Sequence, residues 1–180
     1  VGLPLMVALA RSHDVIGFDT NKRRIAELEG GVDRTGEVDE RELATILSAF
    51  TTNPESLVGR GIYIVTVPTP VDSSMKPDLS AIRSASKTLG HVLRPGSIVV
   101  YESTVYPGVT EDICGPILEQ VSGLECGSEF FLGYSPERIN PGDRVHSIEH
   151  ITKVVAGQTE EVAQRLAALY GSINGSNVFL

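Results

Sequence analysis

The sequence lacks several features that would each mark a class of function. It has only two cysteines, Cys114 and Cys126. Two are too few for a disulfide scaffold, and neither has company at zinc-ligand spacing. The expectation is a pair of free thiols in a reducing compartment, the cytoplasm. His91, His146 and His150 show no metal-ligand spacing either. They read as surface residues, and no metal site is expected. No apolar run reaches the ~18 residues of a membrane-spanning helix. Basic residues are few: 15 Lys and Arg stand against 23 Asp and Glu, for a net charge of -8. An acidic chain without a Lys/Arg cluster is not expected to bind nucleic acid or an anionic membrane. The first apolar run, Val1–Ala10, has no basic leader and does not read as a signal peptide. Repeats, low-complexity tracts and interdomain linkers are also missing.

What is present is a globular composition, with 41% hydrophobic and 21% charged residues. A chain of 180 residues can bury roughly 70% of its unfolded surface. Residues 3–12 read as a short buried helix opening after Gly2, with Pro4 in its first turn. Val15–Asp19 is a short apolar run ending in an acid, a buried-strand pattern. Helices are expected over 21–28 and 38–48, and a strand over 62–67 that Pro68 and Pro70 end. Asp78 is placed to cap a helix carrying Ile82, Ala85, Leu89, Val92 and Leu93. Strands follow at 97–101 and 130–134. Between them, Pro107-Gly108 opens a helix with Val109, Ile113, Ile117 and Val121 four apart. A weaker strand is read over 151–156. Thr159, Glu160 and Glu161 start a last helix with the acids suited to its dipole. Strand and helix alternate, and the connections are too long for hairpins. The pattern predicts an α/β fold, a mostly parallel sheet with helices on both faces.

Ligands in such sheets bind at the C-terminal strand ends. Gly2 with Asp19 matches the last glycine and the acid of a dinucleotide fingerprint. A carboxylate there accepts from the adenosine ribose and repels a 2′-phosphate, which favours NAD; Lys22, Arg23 and Arg24 could blunt that preference. The alternative is a packing glycine and a helix-capping Asp. Thr66–Pro70 is a stiff loop. It suits the wall of a flat cofactor ring, or serves only as a rigid turn. Glu102, Ser103 and Thr104 place a carboxylate and two hydroxyls at a strand end. They could serve an anion or a water network, or Ser103 or Thr104 could simply cap the next helix. Glu137 and Arg138, in the polar loop Ser135–Asp143, could supply a general base and an anion contact, or an ordinary surface ion pair.

Five segments together are more specific. Val1–Leu5, Gly17–Asn21, Ile64–Val71, Tyr101–Gly108 and Gly133–Asp143 resemble, in order, the N-terminal NAD-binding domain of the UDP-glucose/GDP-mannose dehydrogenase family. The nearest branch in pattern is the UDP-N-acetylhexosamine 6-dehydrogenases of capsule, O-antigen and Vi-type polysaccharide synthesis. The resemblance implies a Rossmann-type doubly wound sheet, with residues 1–180 as an NAD-binding domain cut off from its first strand and from the substrate domains. Alone, such a fragment would be inactive. In the full enzyme, the C6 alcohol of a UDP-sugar would be oxidised to a carboxylate by two NAD⁺, by way of a cysteine thioester. By position, the cofactor residues would be Gly2, Asp19, Arg24, Val67, Thr69, Ser103 and Thr104. Thr104 would also order the catalytic water, and Glu137 would act on that water or on substrate. Arg138 and Asn140 would lie near substrate. Pro141 stands where many UDP-glucose dehydrogenases carry a second Glu, which favours UDP-N-acetylglucosamine or -galactosamine over UDP-glucose. A UDP-mannosamine-type enzyme, a hydroxy-acid dehydrogenase and a non-catalytic NAD module are the other readings. Neither Cys114 nor Cys126 lies in the family's Gly-rich cysteine motif. A homodimer is expected of the full-length enzyme.

Overall fold

The computed structural model of the chain describes residues 2–71, 73–136, 152–175 and 177–180. Its elements run α1 (Gly2–Ala10), β1 (Gly17–Phe18), α2 (Lys22–Glu29), α3 (Glu40–Ala44), β2 (Phe50–Thr51), β3 (Ile62–Val65), α4 (Ser80–Gly90) and β4 (Ser97–Tyr101). There follow α5 (Gly115–Ser122), β5 (Phe130–Tyr134), β6 (Lys153–Val154), β7 (Ala156–Gly157), α6 (Glu160–Asn174) and β8 (Val178–Phe179).

Strands β3, β4 and β5 are parallel neighbours, with Ile62 opposite Ile98 and Ser97 opposite Phe130. Strand β7 closes the edge antiparallel to β5. Strands β1 and β2 form a separate parallel pair, as do β6 and β8. Side chains alternate across a strand, and β4 uses both faces. Val99 and Tyr101 enter one core with residues of α4 and α5, whereas Ile98 and Val100 enter another with residues of α1 and α6. All four are fully buried. A third core lies under α1, α2 and α3. Helices thus cover both sheet faces, as the alternation of elements predicts.

Three helix starts, those of α2, α3 and α6, are capped by side chains. Asn21 accepts from the Arg24 N–H, Asp39 from Glu42 and Thr159 from Val162. Helix α6 buries Val162, Leu166 and Tyr170 four residues apart, each burial worth ~1.5–3 kcal/mol.

Four expectations are revised. The helix expected over 38–48 ends at Ala44, and the chain passes through a short 3₁₀ turn into β2, a strand the sequence pattern did not reveal. The helix expected from Pro107 begins with a wide π turn over Val109–Cys114. A π turn spaces contacts by five, so the buried face reads Val109, Cys114 and Leu118. Ile113, Ile117 and Val121 are only half-buried. The first helix ends at Ala10, not at residue 12. The strand over 151–156 splits because it changes partners. Val155 donates to the Phe179 carbonyl, while Ala156 pairs with Tyr134.

Candidate functional site

Two groups of sequence-predicted residues come together, in different ways. Gly2, Asp19, Arg24 and Val67 line one cleft of about 720 Å³. The cleft runs between the edges of β1 and β3, beneath α1. One end carries these four residues and Thr66. The other carries Asp14 and Arg60, which form an ion pair. Only the first end lies at the C-terminal ends of the strands, where this architecture binds ligands.

Gly2 is placed by contact. A Cβ on it would sit 2.5 Å from Oγ1 of Thr66, so a side chain here would push α1 away from the end of β3. Asp19 follows β1 directly and is exposed. Its Oδ1 accepts from the Asn21 N–H at 2.8 Å, but the cap of α2 is Asn21, not Asp19. Arg24 donates to Asp33 at 2.6 Å; the two side chains are 11% and 1% exposed. Burial by itself would raise the Asp33 carboxyl. The Arg24 guanidinium and the donors of Thr35 and Val38 outweigh burial and hold the carboxyl well below the usual carboxylate range. The other guanidinium nitrogen of Arg24, Nη1, is buried without a partner. Such a donor at a cleft wall suits a ribose oxygen or phosphate.

Val67, Thr69, Ser103 and Thr104 form the second group. Ser103 Oγ donates to the Val67 carbonyl and Thr69 Oγ1 to the Thr104 carbonyl, both at 2.6 Å. The two strand-end loops are therefore tied into one rigid rim. The capping alternative does not hold. The π turn after Gly108 has no side-chain cap, and Gly108 itself takes a left-handed φ of 93°. Ser103 is buried and Thr104 is exposed on the rim. Glu137, Arg138 and Asn140, with His146 and His150, lie outside the described residues.

A cluster the sequence reading did not assemble lies beneath this rim. Glu102 is 1% exposed. Its Oε2 is 3.0 Å from Lys153 Nζ, and its Oε1 accepts from the Tyr170 hydroxyl at 2.6 Å. The ammonium also lies 5.3 Å from the Tyr170 ring centre. Removing one partner of such a pair costs ~3–5 kcal/mol. The signal was present: along one face of β4 the order is Ile98, Val100, then Glu102, an acid where the pattern calls for an apolar residue.

The thiols are poorly disposed to react. Burial pushes both Cys114 and Cys126 above the ordinary thiol value. Among the described residues no group of His, Cys, Asp and Glu could hold a metal ion. No helix there is long and apolar enough to cross a membrane.

The profile of the UDP-glucose/GDP-mannose dehydrogenase family, NAD-binding domain, matches residues 1–174. The chain belongs to that family. Protein CapL of Staphylococcus aureus is 54% identical over 173 residues, covering 96% of this chain and 41% of CapL. The UDP-N-acetyl-D-glucosamine 6-dehydrogenase of Pseudomonas aeruginosa is 52% identical over 175 residues, covering 96% of this chain and 41% of the enzyme. The enzyme of that name from Salmonella typhi is 47% identical over 181 residues, covering 99% and 42%. The chain thus spans about two-fifths of the length of these relatives. In structure, a UDP-D-ManNAc dehydrogenase from Pyrococcus horikoshii superposes with a TM-score of 0.91 at 32% identity, over 100% of this chain and 44% of that one. The Rossmann-type fold and NAD as the dinucleotide of this domain family follow.

Proposed function

We propose that residues 1–180 are the NAD-binding part of a UDP-N-acetylhexosamine 6-dehydrogenase. The enzyme oxidises the C6 alcohol of UDP-N-acetylglucosamine or -galactosamine to a carboxylate, for polysaccharide synthesis. The supporting observation is the identity of 52% and 47% to two UDP-N-acetyl-D-glucosamine 6-dehydrogenases across nearly the whole chain. When bound, NAD accepts the hydride at each of two oxidation steps. The residues at the cleft fit it on structural grounds. Gly2 leaves no Cβ between α1 and the end of β3. Arg24 Nη1 offers a buried donor without a partner, and the exposed Asp19 carboxylate is an acceptor for ribose hydroxyls. The tied rim of Val67, Thr69, Ser103 and Thr104 holds a wall that does not yield as a flat ring packs on it. Thr104 orients water at that wall, and Glu137, with Arg138 and Asn140 nearby, works on the water or substrate. The thiol for the second oxidation step comes from the remainder of the enzyme, since Cys114 is fully buried in the core and neither Cys114 nor Cys126 lies in the family's Gly-rich cysteine motif. The reading includes a cytoplasmic homodimer that binds neither nucleic acid nor membrane. The test is a panel of UDP-sugars with the full-length enzyme. UDP-N-acetylglucosamine or -galactosamine should reduce NAD fastest. Faster oxidation of UDP-glucose would overturn the substrate assignment.

A further inference from the structure

We propose that Glu102, Lys153 and Tyr170 form a positioning device that fixes the Ser103–Thr104 turn from beneath. This rests on the reading of the domain as the cofactor part of a dehydrogenase. The face of β4 that meets α6 carries Ile98 and Val100, both fully buried in apolar surroundings. Glu102 is the next residue on that face, and a third apolar side chain would simply have extended the core. Instead a buried carboxylate is held at both oxygens, by Lys153 from β6 and by Tyr170 from α6. Two-point attachment fixes the plane of the carboxylate and with it the backbone of Glu102. A buried ion pair rarely outperforms apolar packing of similar volume, so stability alone does not account for it. Fixed geometry does. The next two residues are tied from the side, Ser103 to the Val67 carbonyl and Thr104 by Thr69. The turn is thus set from the side and from below, and Thr104 is its exposed tip.

The test uses the full-length enzyme with both charges removed together, Glu102→Gln with Lys153→Met, so that neither charge of this pair is left buried without the other. Amide hydrogen exchange is followed along β4 and into the turn. Exchange at position 102, whose N–H donates to the Val65 carbonyl, should quicken by about tenfold or more, with Ile98–Val100 unchanged. Turnover with UDP-N-acetylglucosamine should fall about tenfold. Lys153→Arg, which keeps the charge, should exchange at position 102 as wild type does. Unchanged exchange at position 102 in the double variant overturns the proposal, whatever the turnover. Uniform acceleration across β4 also overturns it, since the cluster would then be core stability alone. A wild-type enzyme that oxidises no UDP-sugar overturns the functional reading instead, and the exchange data still decide this one.

Discussion

Gly2→Ala probes the closest approach in the candidate site. The new methyl would stand 2.5 Å from Thr66 Oγ1 and 3.3 Å from Thr66 Cβ. Favourable carbon contacts begin near ~3.5 Å. Turning the Thr66 side chain would carry the oxygen away only by breaking its present rotamer, and Cβ stays close, so part of the relief falls to a shift of α1. Overpacking of this kind costs ~1–3 kcal/mol. The helix preference of Ala over Gly returns at most ~1 kcal/mol. The net loss is up to ~2 kcal/mol, which for a chain of this size lowers Tm by up to about 8 °C. The assay is thermal and urea unfolding of Gly2→Ala, Thr66→Ala and the double variant. Thr66→Ala removes the offending oxygen and methyl, so the double variant should recover about 1 kcal/mol relative to additivity. Additive losses would refute the claim that Thr66 is what requires a glycine at this position.

Two further outcomes are expected. The Asp33 carboxyl is held low in the folded state, so its contribution is complete above the unfolded value of about 4 and fades as pH falls below it. Urea midpoints should therefore drop between about pH 5 and pH 3, and Asp33→Asn should be less stable at neutral pH and flatter over that window; an unchanged slope would exclude Asp33 as a source of acid sensitivity. In the core, Ser86 Oγ donates to the Ile82 carbonyl, so the Tyr101 hydroxyl 2.7 Å away must donate to Ser86. Ser86→Ala should cost ~1–3 kcal/mol, and Ser86→Ala with Tyr101→Phe less than the sum of the two singles, by urea unfolding.

Much of this was legible in the residues. The strands at 97–101 and 130–134 coincide with β4 and β5, because a buried central strand is a short continuous apolar run between turn signals. Helix α6 was marked by its Thr159 cap and its acids. The elements missed, β2 and β8, are two residues long, and their pairing depends on partners far away in sequence. The π turn escaped because a spacing of four fits Val109, Ile113, Ile117 and Val121 as an α-helix; the wider turn moved Cys114 to the inner face instead. Asp19 and Gly2 were readable as candidates for the acid and glycine of a fingerprint, and both line the same cleft. Thr66 was visible only as the start of a stiff loop, not as the neighbour of Gly2, and Asp33, Lys153 and Tyr170 were not visible at all, since each matters through a contact that only folding creates. Glu102 was visible as an acid at a strand end, but its buried partners lie 51 and 68 residues away.

NAD is expected at the end of the cleft marked by Gly2, Asp19 and Arg24. The test is calorimetric titration of NAD into the full-length enzyme and into its Asp19→Ala variant. Loss of hydrogen bonds from a charged acceptor, ~1.5–3 kcal/mol, predicts binding at least about tenfold weaker in the variant. The wild-type enzyme should prefer NAD to NADP. Equal NAD affinity in the two proteins would place the adenosine ribose away from Asp19.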